Sequence, residues 1–100
     1  MVKHMVMWTL KETAEGRSKA ENLRLVKDKL EALASKINVI RALEVGVNFT
    51  DSQEAFDIAL YAEFASPEDL TVYQEHPGHV EAREFIRRVR DKRRVVDYQI

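Results

Sequence analysis

A chain of 100 residues, 45% of them hydrophobic, is long enough for one domain with a modest core and too short for two. Its 16 basic and 17 acidic residues give a formal net charge of −1, which removes any global electrostatic reason to bind nucleic acid or an anionic membrane. There is no cysteine, which excludes disulfides and thiolate metal sites, and no apolar run of the roughly 18 residues that a membrane span needs. With no apolar leader segment, we expect a cytoplasmic protein with a single domain over residues 1–100.

The first half of the chain predicts a strand, a helix and a second strand. Residues alternate from Val2 to Leu10, and both sets are largely apolar, so we expect a strand that is covered on both faces. Ser18 and Glu21 have the spacing of a capping box, and the helical recurrence of apolar residues predicts a helix from Lys19 to about Lys36. A second strand is predicted from about Arg41 to Phe49. One side of it carries Leu43, Val45, Val47 and Phe49.

The second half predicts a strand, an interrupted helix and a last strand. The alternation from Phe56 to Phe64 indicates a third strand. Ser66 followed by Pro67 is typical of an N-cap and first helical position, and the helix is expected to break at His76 and Pro77. The fourth strand is expected at 95–100. Leu70 and Tyr73 are predicted to face inward before the break, followed by His79, Ala82, Ile86 and Val89 after it.

This order of elements predicts an α+β, ferredoxin-like fold, a four-stranded antiparallel sheet with helices on one face. The other face would carry Met5, Met7, Ala59 and Tyr61, which is too apolar for a monomer. A second copy related by a two-fold axis would cover it most simply, so we expect a homodimer.

The residues capable of chemistry are concentrated between Tyr73 and His79. Two of the three histidines flank Pro77, and a half-buried histidine with a pKa near neutrality suits proton transfer. A purely structural corner between two helices is the competing interpretation, because Pro77 disfavours helical geometry at His76. A third interpretation, a metal site made by His4, His76 and His79, requires a spacing that fits poorly. We therefore expect no metal and no cofactor.

The strongest local charge bias lies near the end of the last predicted helix. Since cations favour the negative end of a helix dipole, we expect these side chains to be solvated there. Only Tyr61 would present an aromatic ring on the open sheet face, which argues against RNA binding. The basic residues are Arg83, Arg87, Arg88, Arg90, Lys92, Arg93 and Arg94.

Several short motifs, in order along the whole chain, carry a resemblance to a known family. They are Val2-Lys3-His4, Val45-Gly46-Val47-Asn48, Phe56-Asp57, Tyr73 with His76-Pro77-Gly78-His79, and Val96-Asp97-Tyr98. In these the chain resembles the stress-responsive α/β barrel (Dabb) domain family. The resemblance implies a homodimer whose two sheets close into an α/β barrel, and most members have no assigned reaction.

The family includes a plant polyketide cyclase that uses a histidine and a tyrosine as an acid–base pair in an aldol condensation. The resemblance implies that His79 and Tyr73 are catalytic. It also implies a small apolar, phenolic or polyketide-like ligand and a cofactor-independent cyclase or lyase activity. The alternative is a non-catalytic stress-response dimer in which the His/Tyr cluster is structural. The implied ligand-binding residues are His4, Val6, Trp8, Val26, Leu30 and Leu60.

Overall fold

The computed structural model describes residues 1–100 and contains a four-stranded sheet packed against three α-helices. The helices do not combine the length and hydrophobicity that crossing a bilayer would require. The elements, in chain order, are β1 (Val2–Leu10), a small hairpin of β2 (Thr13–Ala14) and β3 (Arg17–Ser18), α1 (Lys19–Glu31), a 3-10 helix (Ala32–Ser35), β4 (Ala42–Val47), β5 (Ile58–Phe64), α2 (Pro67–Glu75), α3 (Pro77–Val89) and β6 (Arg90–Gln99).

The main sheet has the strand order β4-β5-β1-β6, with every neighbouring pair antiparallel. A cluster of 19 buried apolar residues fills the space between the sheet and the helices. The capping box predicted at Ser18 and Glu21 forms, with Glu21 N donating to Ser18 Oγ at 3.2 Å. The ferredoxin-like α+β fold predicted from the sequence is confirmed.

The boundaries of three strands differ from the prediction. β6 begins at Arg90 instead of residue 95, because Arg90 already has extended backbone angles directly after α3. β5 begins at Ile58, after Asp57, whose carboxylate accepts a hydrogen bond from Leu10 N at 2.8 Å. β4 ends at Val47, before a turn in which Asn48 and Thr50 bond each other. Phe49 therefore does not pack with the core side of the strand but is 98% exposed.

The interrupted helix is two helices that share one capping residue. His76 has extended backbone angles and is both the last cap of α2 and the N-cap of α3. Its Nδ1 accepts a hydrogen bond from Gly78 N at 3.0 Å, and Pro77 occupies the first helical position. The predicted break is confirmed, and His76 has a structural role in it.

The sheet face away from the helices is apolar along its two central strands. Met5 and Met7 on β1 are 40% and 45% exposed there. Because directly paired residues of antiparallel strands point to the same face, Val96 and Tyr98 of β6 lie beside Met5 and Lys3. We call this surface, which also includes Ala59 and Tyr61, the open face.

The capping role of His76 generates a stability prediction. His76→Ala removes the acceptor for Gly78 N and should lower the free energy of unfolding by about 0.5–2 kcal/mol, as loss of an N-cap does. His76→Asn keeps an acceptor at the cap and should retain most of the stability. Urea unfolding of the three proteins measures both effects. Equal destabilisation by alanine and asparagine would contradict the capping role.

Candidate functional site

A cavity of about 280 Å³ lies between the helix-facing side of the sheet and the three α-helices. Alternate residues of β1 form its floor, because side chains two apart in a strand point to the same face. α1, α2 and α3 supply the opposite wall, and the start of β6 forms one side. The apolar lining is Val6, Trp8, Leu30, Leu60 and Ile86, and the polar lining is His4, Tyr73, His79, Arg83, Arg87, Arg90 and Arg93.

His79 enters the cavity from the first turn of α3. Its Nδ1 lies 3.1 Å from the carbonyl oxygen of Gln74, in the last turn of α2. A carbonyl can only accept, so Nδ1 carries the proton and Nε2 keeps the lone pair. Burial, with help from nearby Arg83 and Arg93, lowers the pKa of His79 to about 4. The expectation of a pKa near neutrality is therefore wrong, and His79 is a neutral imidazole at pH 7.

Tyr73 lies against His79 on the other side of the helix break. The two ring centroids are 4.5 Å apart, and the side chain of Tyr73 also packs against Phe64. Tyr73 is only 1% exposed, and burial raises the pKa of its hydroxyl, so the phenol is protonated across the physiological range. No group of the chain hydrogen-bonds this hydroxyl, which leaves it free to donate to a ligand oxygen.

His4 is the third ring of the site and is held from the sheet. Its Nδ1 is hydrogen-bonded to the carboxylate of Asp97, directly opposite it in the β1–β6 register. Its ring centroid is 6.0 Å from that of Tyr73. The rings of His4 and His79 thus each pack against Tyr73, while the hydrogen bonds of the two histidines go to Asp97 and Gln74. No hydrogen bond joins the three side chains to one another.

Four arginines surround the polar side of the cavity. Arg83 and Arg87 follow His79 at four-residue steps along one face of α3, and Arg90 and Arg93 come from β6. Arg87 and Arg93 are exposed, as expected for a solvated helix end, whereas Arg83 and Arg90 are half-buried beside the cavity. Arg83 and Arg87 reach the cavity from α3 itself, and the direct passage from α3 into β6 brings Arg90 and Arg93 to the same side.

Seven of the eight side chains proposed from the sequence come together here. His4, Val6, Trp8, Leu30, Leu60, Tyr73 and His79 all line the cavity. Val26 does not line it, because its side chain is 0% exposed and packs one turn away from Leu30 in the core. His76 does not reach the cavity either, since its ring caps α3. Sequence reasoning missed Ile86, Asp97 and the four arginines. The signals available were the inward position of Ile86 on the helical stripe, the motif that contains Asp97 and the local excess of basic residues.

The arrangement combines a base, an acid and a positive field in one cavity. The Nε2 lone pair of His79 can take a proton, and the Tyr73 hydroxyl can donate to an oxygen that gains negative charge. Arginine guanidinium groups stabilise such charge more strongly where water is excluded. None of the lining side chains is an activated nucleophile, so the chemistry that fits is proton transfer rather than covalent catalysis.

Comparison with protein families gives one match along nearly the full chain. The family model for the stress responsive A/B barrel domain matches residues 2–100. The chain belongs to this family. The stress-responsive A/B barrel protein is also similar to solved structures with the same fold, whereas a search of the curated proteins found no match.

Three of the structural neighbours illustrate the likeness. A dimeric protein of unknown function with a ferredoxin-like fold from Bacteroides fragilis is 37% identical, with 99% of this chain and 95% of that chain covered and a TM-score of 0.86. A dimeric ferredoxin-like protein of unknown function from Thermobifida fusca is 19% identical, with 99% and 90% covered and a TM-score of 0.86. A hydroxynitrile lyase from Passiflora edulis is 20% identical, with 99% and 92% covered and a TM-score of 0.79. At these identities the last two bear on the fold alone.

The lowered pKa of His79 generates a prediction about stability and pH. The pKa is about 4 in the folded protein against an ordinary value of 6.5, so between these values the unfolded chain binds a proton that the folded protein does not. The stability that depends on neutral His79 is complete above pH 6.5 and is lost as the pH falls towards 4.

The wild-type protein should therefore lose stability relative to His79→Gln as the pH is lowered through this range. Urea unfolding of both proteins at a series of pH values measures the difference. Parallel stability profiles would show that His79 titrates normally.

Proposed function

We propose that this stress-responsive A/B barrel protein binds a small organic molecule in the cavity and acts on it by acid–base chemistry at a carbon beside a carbonyl group. The proposed activity is cyclase-like or lyase-like, an aldol condensation or its reverse, with no cofactor. The observation that carries the proposal is the pairing of His79, whose Nε2 is a neutral base, with Tyr73, whose hydroxyl is a protonated donor without a partner. The two side chains have opposite proton roles in one cavity.

The proposed reaction begins with a substrate carbon flanked by two carbonyl groups. Nε2 of His79 takes the proton from this carbon, and the electron pair of the broken C–H bond moves onto a carbonyl oxygen as an enolate. The Tyr73 hydroxyl donates a hydrogen bond to that oxygen. The enolate carbon then attacks a second carbonyl of the same molecule, and the imidazolium of His79 returns its proton to the new alkoxide. Protons and charge balance without any added reagent.

The strength of the base limits the substrates. An imidazole with a pKa of about 4 is a weak base, so it matches a C–H bond already acidified by two carbonyls and not an unactivated one. General acid–base catalysis contributes on the order of 10²–10⁴ in rate. The positive charge of Arg83 and Arg93 near His79 adds stabilisation for the enolate.

The alternative, a purely structural role for the His/Tyr cluster, is favoured less by the geometry. A structural cluster satisfies its polar atoms internally, because buried polar groups are normally paired. The Tyr73 hydroxyl has no such partner in the chain, although the residue as a whole is only 1% exposed. A ligand oxygen in the cavity would complete its hydrogen bonding.

We also propose that the protein is a homodimer whose open faces meet to form an α/β barrel. The apolar side chains of the open face, above all Met5 and Met7, support a partner sheet. Lys3, Tyr61 and Glu63 form a hydrogen-bonded group on the same face, with Lys3 Nζ 2.6 Å from Glu63 and 2.9 Å from the Tyr61 hydroxyl. This group is internally satisfied and can be buried with its charges paired. The Bacteroides fragilis neighbour is itself dimeric.

The catalytic proposal is tested by two substitutions in the cavity and one outside it. With a β-polyketo thioester as substrate, His79→Gln should lower turnover by about 10²–10⁴-fold through loss of the base. Tyr73→Phe should lower it by roughly 10²–10³-fold through loss of the hydrogen-bond donor to the enolate. His76→Asn, which changes a histidine outside the cavity, should retain activity.

The pH profile of the same reaction gives an independent readout. The wild-type rate should rise as the pH passes upward through about 4, where His79 loses its proton, and stay flat through neutrality. The groups facing His79 are Tyr73, His4, Arg83 and Arg93. A folded His79→Gln protein with full activity, or a wild-type rate that does not respond to pH in this range, would contradict the assignment.

The dimer proposal has its own test at the open face. Met7→Lys and Ala59→Glu should each weaken the dimer, because a charge buried against the partner sheet would lose its water without a counter-charge. Val72→Lys is the matched control, since Val72 is 50% exposed on α2 and lies away from the sheet. Sedimentation equilibrium at micromolar concentration measures all four proteins. A folded wild-type monomer under these conditions would contradict the barrel.

A further inference from the structure

We propose that the ligand of the cavity is an organic acid, and that Arg83, Arg90 and Arg93 bind its carboxylate. The inference rests on the proposed function in one respect, that the cavity binds a small organic molecule. It goes further by naming the charged group of that molecule and the side chains that bind it.

The charge balance of the cavity carries the proposal. Four of the twelve lining residues are arginines, and none is an aspartate or a glutamate. Arg87 pairs with Glu84 at 3.1 Å and points partly to solvent. Arg83, Arg90 and Arg93 have no carboxylate of the chain within ion-pair distance, and the nearby carboxylate of Asp97 is bonded to His4. These three cations therefore form no ion pair, and the one nearby carboxylate, that of Asp97, favours the charged form of Arg93 without pairing with it.

The partial burial of Arg83 and Arg90 strengthens the argument. Arg83 is half-buried, and its Nε has neither a hydrogen-bond partner nor contact with solvent. Leaving a buried charged donor unpaired is costly, so such groups are normally paired or hydrogen-bonded. Burial and the neighbouring Arg90 and Arg83 also lower the pKa of Arg93. A bound anion would relieve the mutual repulsion of these side chains and satisfy the Nε of Arg83.

The remaining lining indicates which kind of anion fits. Val6, Trp8 and Leu60 form an apolar floor beside the arginines, so the ligand needs a hydrocarbon or aromatic body as well as a charge. The planar fork of a guanidinium group matches the two oxygens of a carboxylate. A free inorganic anion would leave the apolar floor without a partner. An amphipathic carboxylate satisfies both parts of the lining.

Trp8 provides a direct probe of this cavity. It is the single tryptophan of the chain, and it lines the cavity, so one indole N–H signal in a ¹H–¹⁵N NMR spectrum reports on ligands there. Hexanoate and hexanamide have the same carbon chain and differ in the charge of the head group. Hexanoate should shift this signal with an affinity at least about tenfold higher than that of hexanamide, as expected for one charge-assisted contact. Added sodium chloride should weaken the binding of hexanoate and leave the binding of hexanamide unchanged.

Three variants assign the effect to the arginines. Arg83→Gln and Arg93→Gln should each lower the affinity for hexanoate by about tenfold and leave that for hexanamide unchanged. Arg88→Gln is the matched control, because Arg88 lies on the same helix, pairs with Glu15 at 2.6 Å and does not line the cavity. The affinity of Arg88→Gln for hexanoate should equal that of the wild-type protein. Should Arg83→Gln fail to fold, Arg93→Gln and the comparison of the two probes on the wild-type protein still test whether the arginines bind the carboxylate.

Each contrary outcome has a distinct meaning. Equal binding of hexanoate and hexanamide would overturn the acid-binding inference and leave the proposed small-molecule pocket intact. If Arg88→Gln lost as much affinity for hexanoate as the two cavity variants, the inference would also be overturned, because the effect would then be one of net charge. Displacement of hexanoate by an equal concentration of inorganic phosphate would overturn the choice of a carboxylate. No shift with any probe at millimolar concentration would contradict both this inference and the proposed function.

Discussion

The geometry of the site depends on the break between α2 and α3. Pro77 and the extended backbone of His76 end one helix and begin the next within a single residue. The last carbonyl groups of any helix lack intrahelical partners, and the break leaves the carbonyl of Gln74 among them. His79 lies in the first turn of α3 and donates its Nδ1–H to this carbonyl. One interruption of the backbone thus creates the acceptor, positions the imidazole and determines which of its nitrogens is the base.

The two faces of the sheet are suited to different purposes. The helix-facing side carries His4, Val6 and Trp8 into the cavity, whereas Met5 and Met7 lie on the open face. The alternation of a strand therefore separates the proposed ligand site from the proposed dimer surface without any additional element. The hydrogen bond between His4 and Asp97 also ties the floor of the cavity to the edge strand β6, from which Arg93 reaches the site.

Local patterns in the sequence were sufficient for the elements and for most of the site. The capping box, the N-cap at Ser66 and the alternation of β1 are signals within a few residues, and the structure contains each of them. Val26 and Leu30 are a different case, because helical periodicity shows that both point inward but not which one reaches a cavity. That distinction depends on how α1 lies on the sheet. Leu30 lines the cavity and Val26 fills the core.

The electrostatics of the site could not be predicted from the sequence, because they depend on contacts between distant parts of the chain. His4 and Asp97 are 93 residues apart and meet only through the register of β1 and β6. The arginines after residue 82 have the pattern of a solvated helix end. Arg83 and Arg87 nevertheless lie on the face of α3 that carries His79, and the immediate start of β6 at Arg90 brings Arg90 and Arg93 to the same cavity. The lowered pKa of His79 follows from both effects, burial and neighbouring cations, neither of which a pattern of residues specifies.

The central claim is that one cavity holds a base, a proton donor and a cationic wall that act on the same molecule. A crystal structure with bound acetylpyruvate tests this most directly, because that molecule has a carboxylate and a carbon between two carbonyls. The account predicts the acidic carbon next to Nε2 of His79, a carbonyl oxygen hydrogen-bonded to Tyr73 and the carboxylate on the guanidinium group of Arg83. Acetylpyruvate bound in the cavity with its acidic carbon away from His79, or bound only outside the cavity, would contradict it.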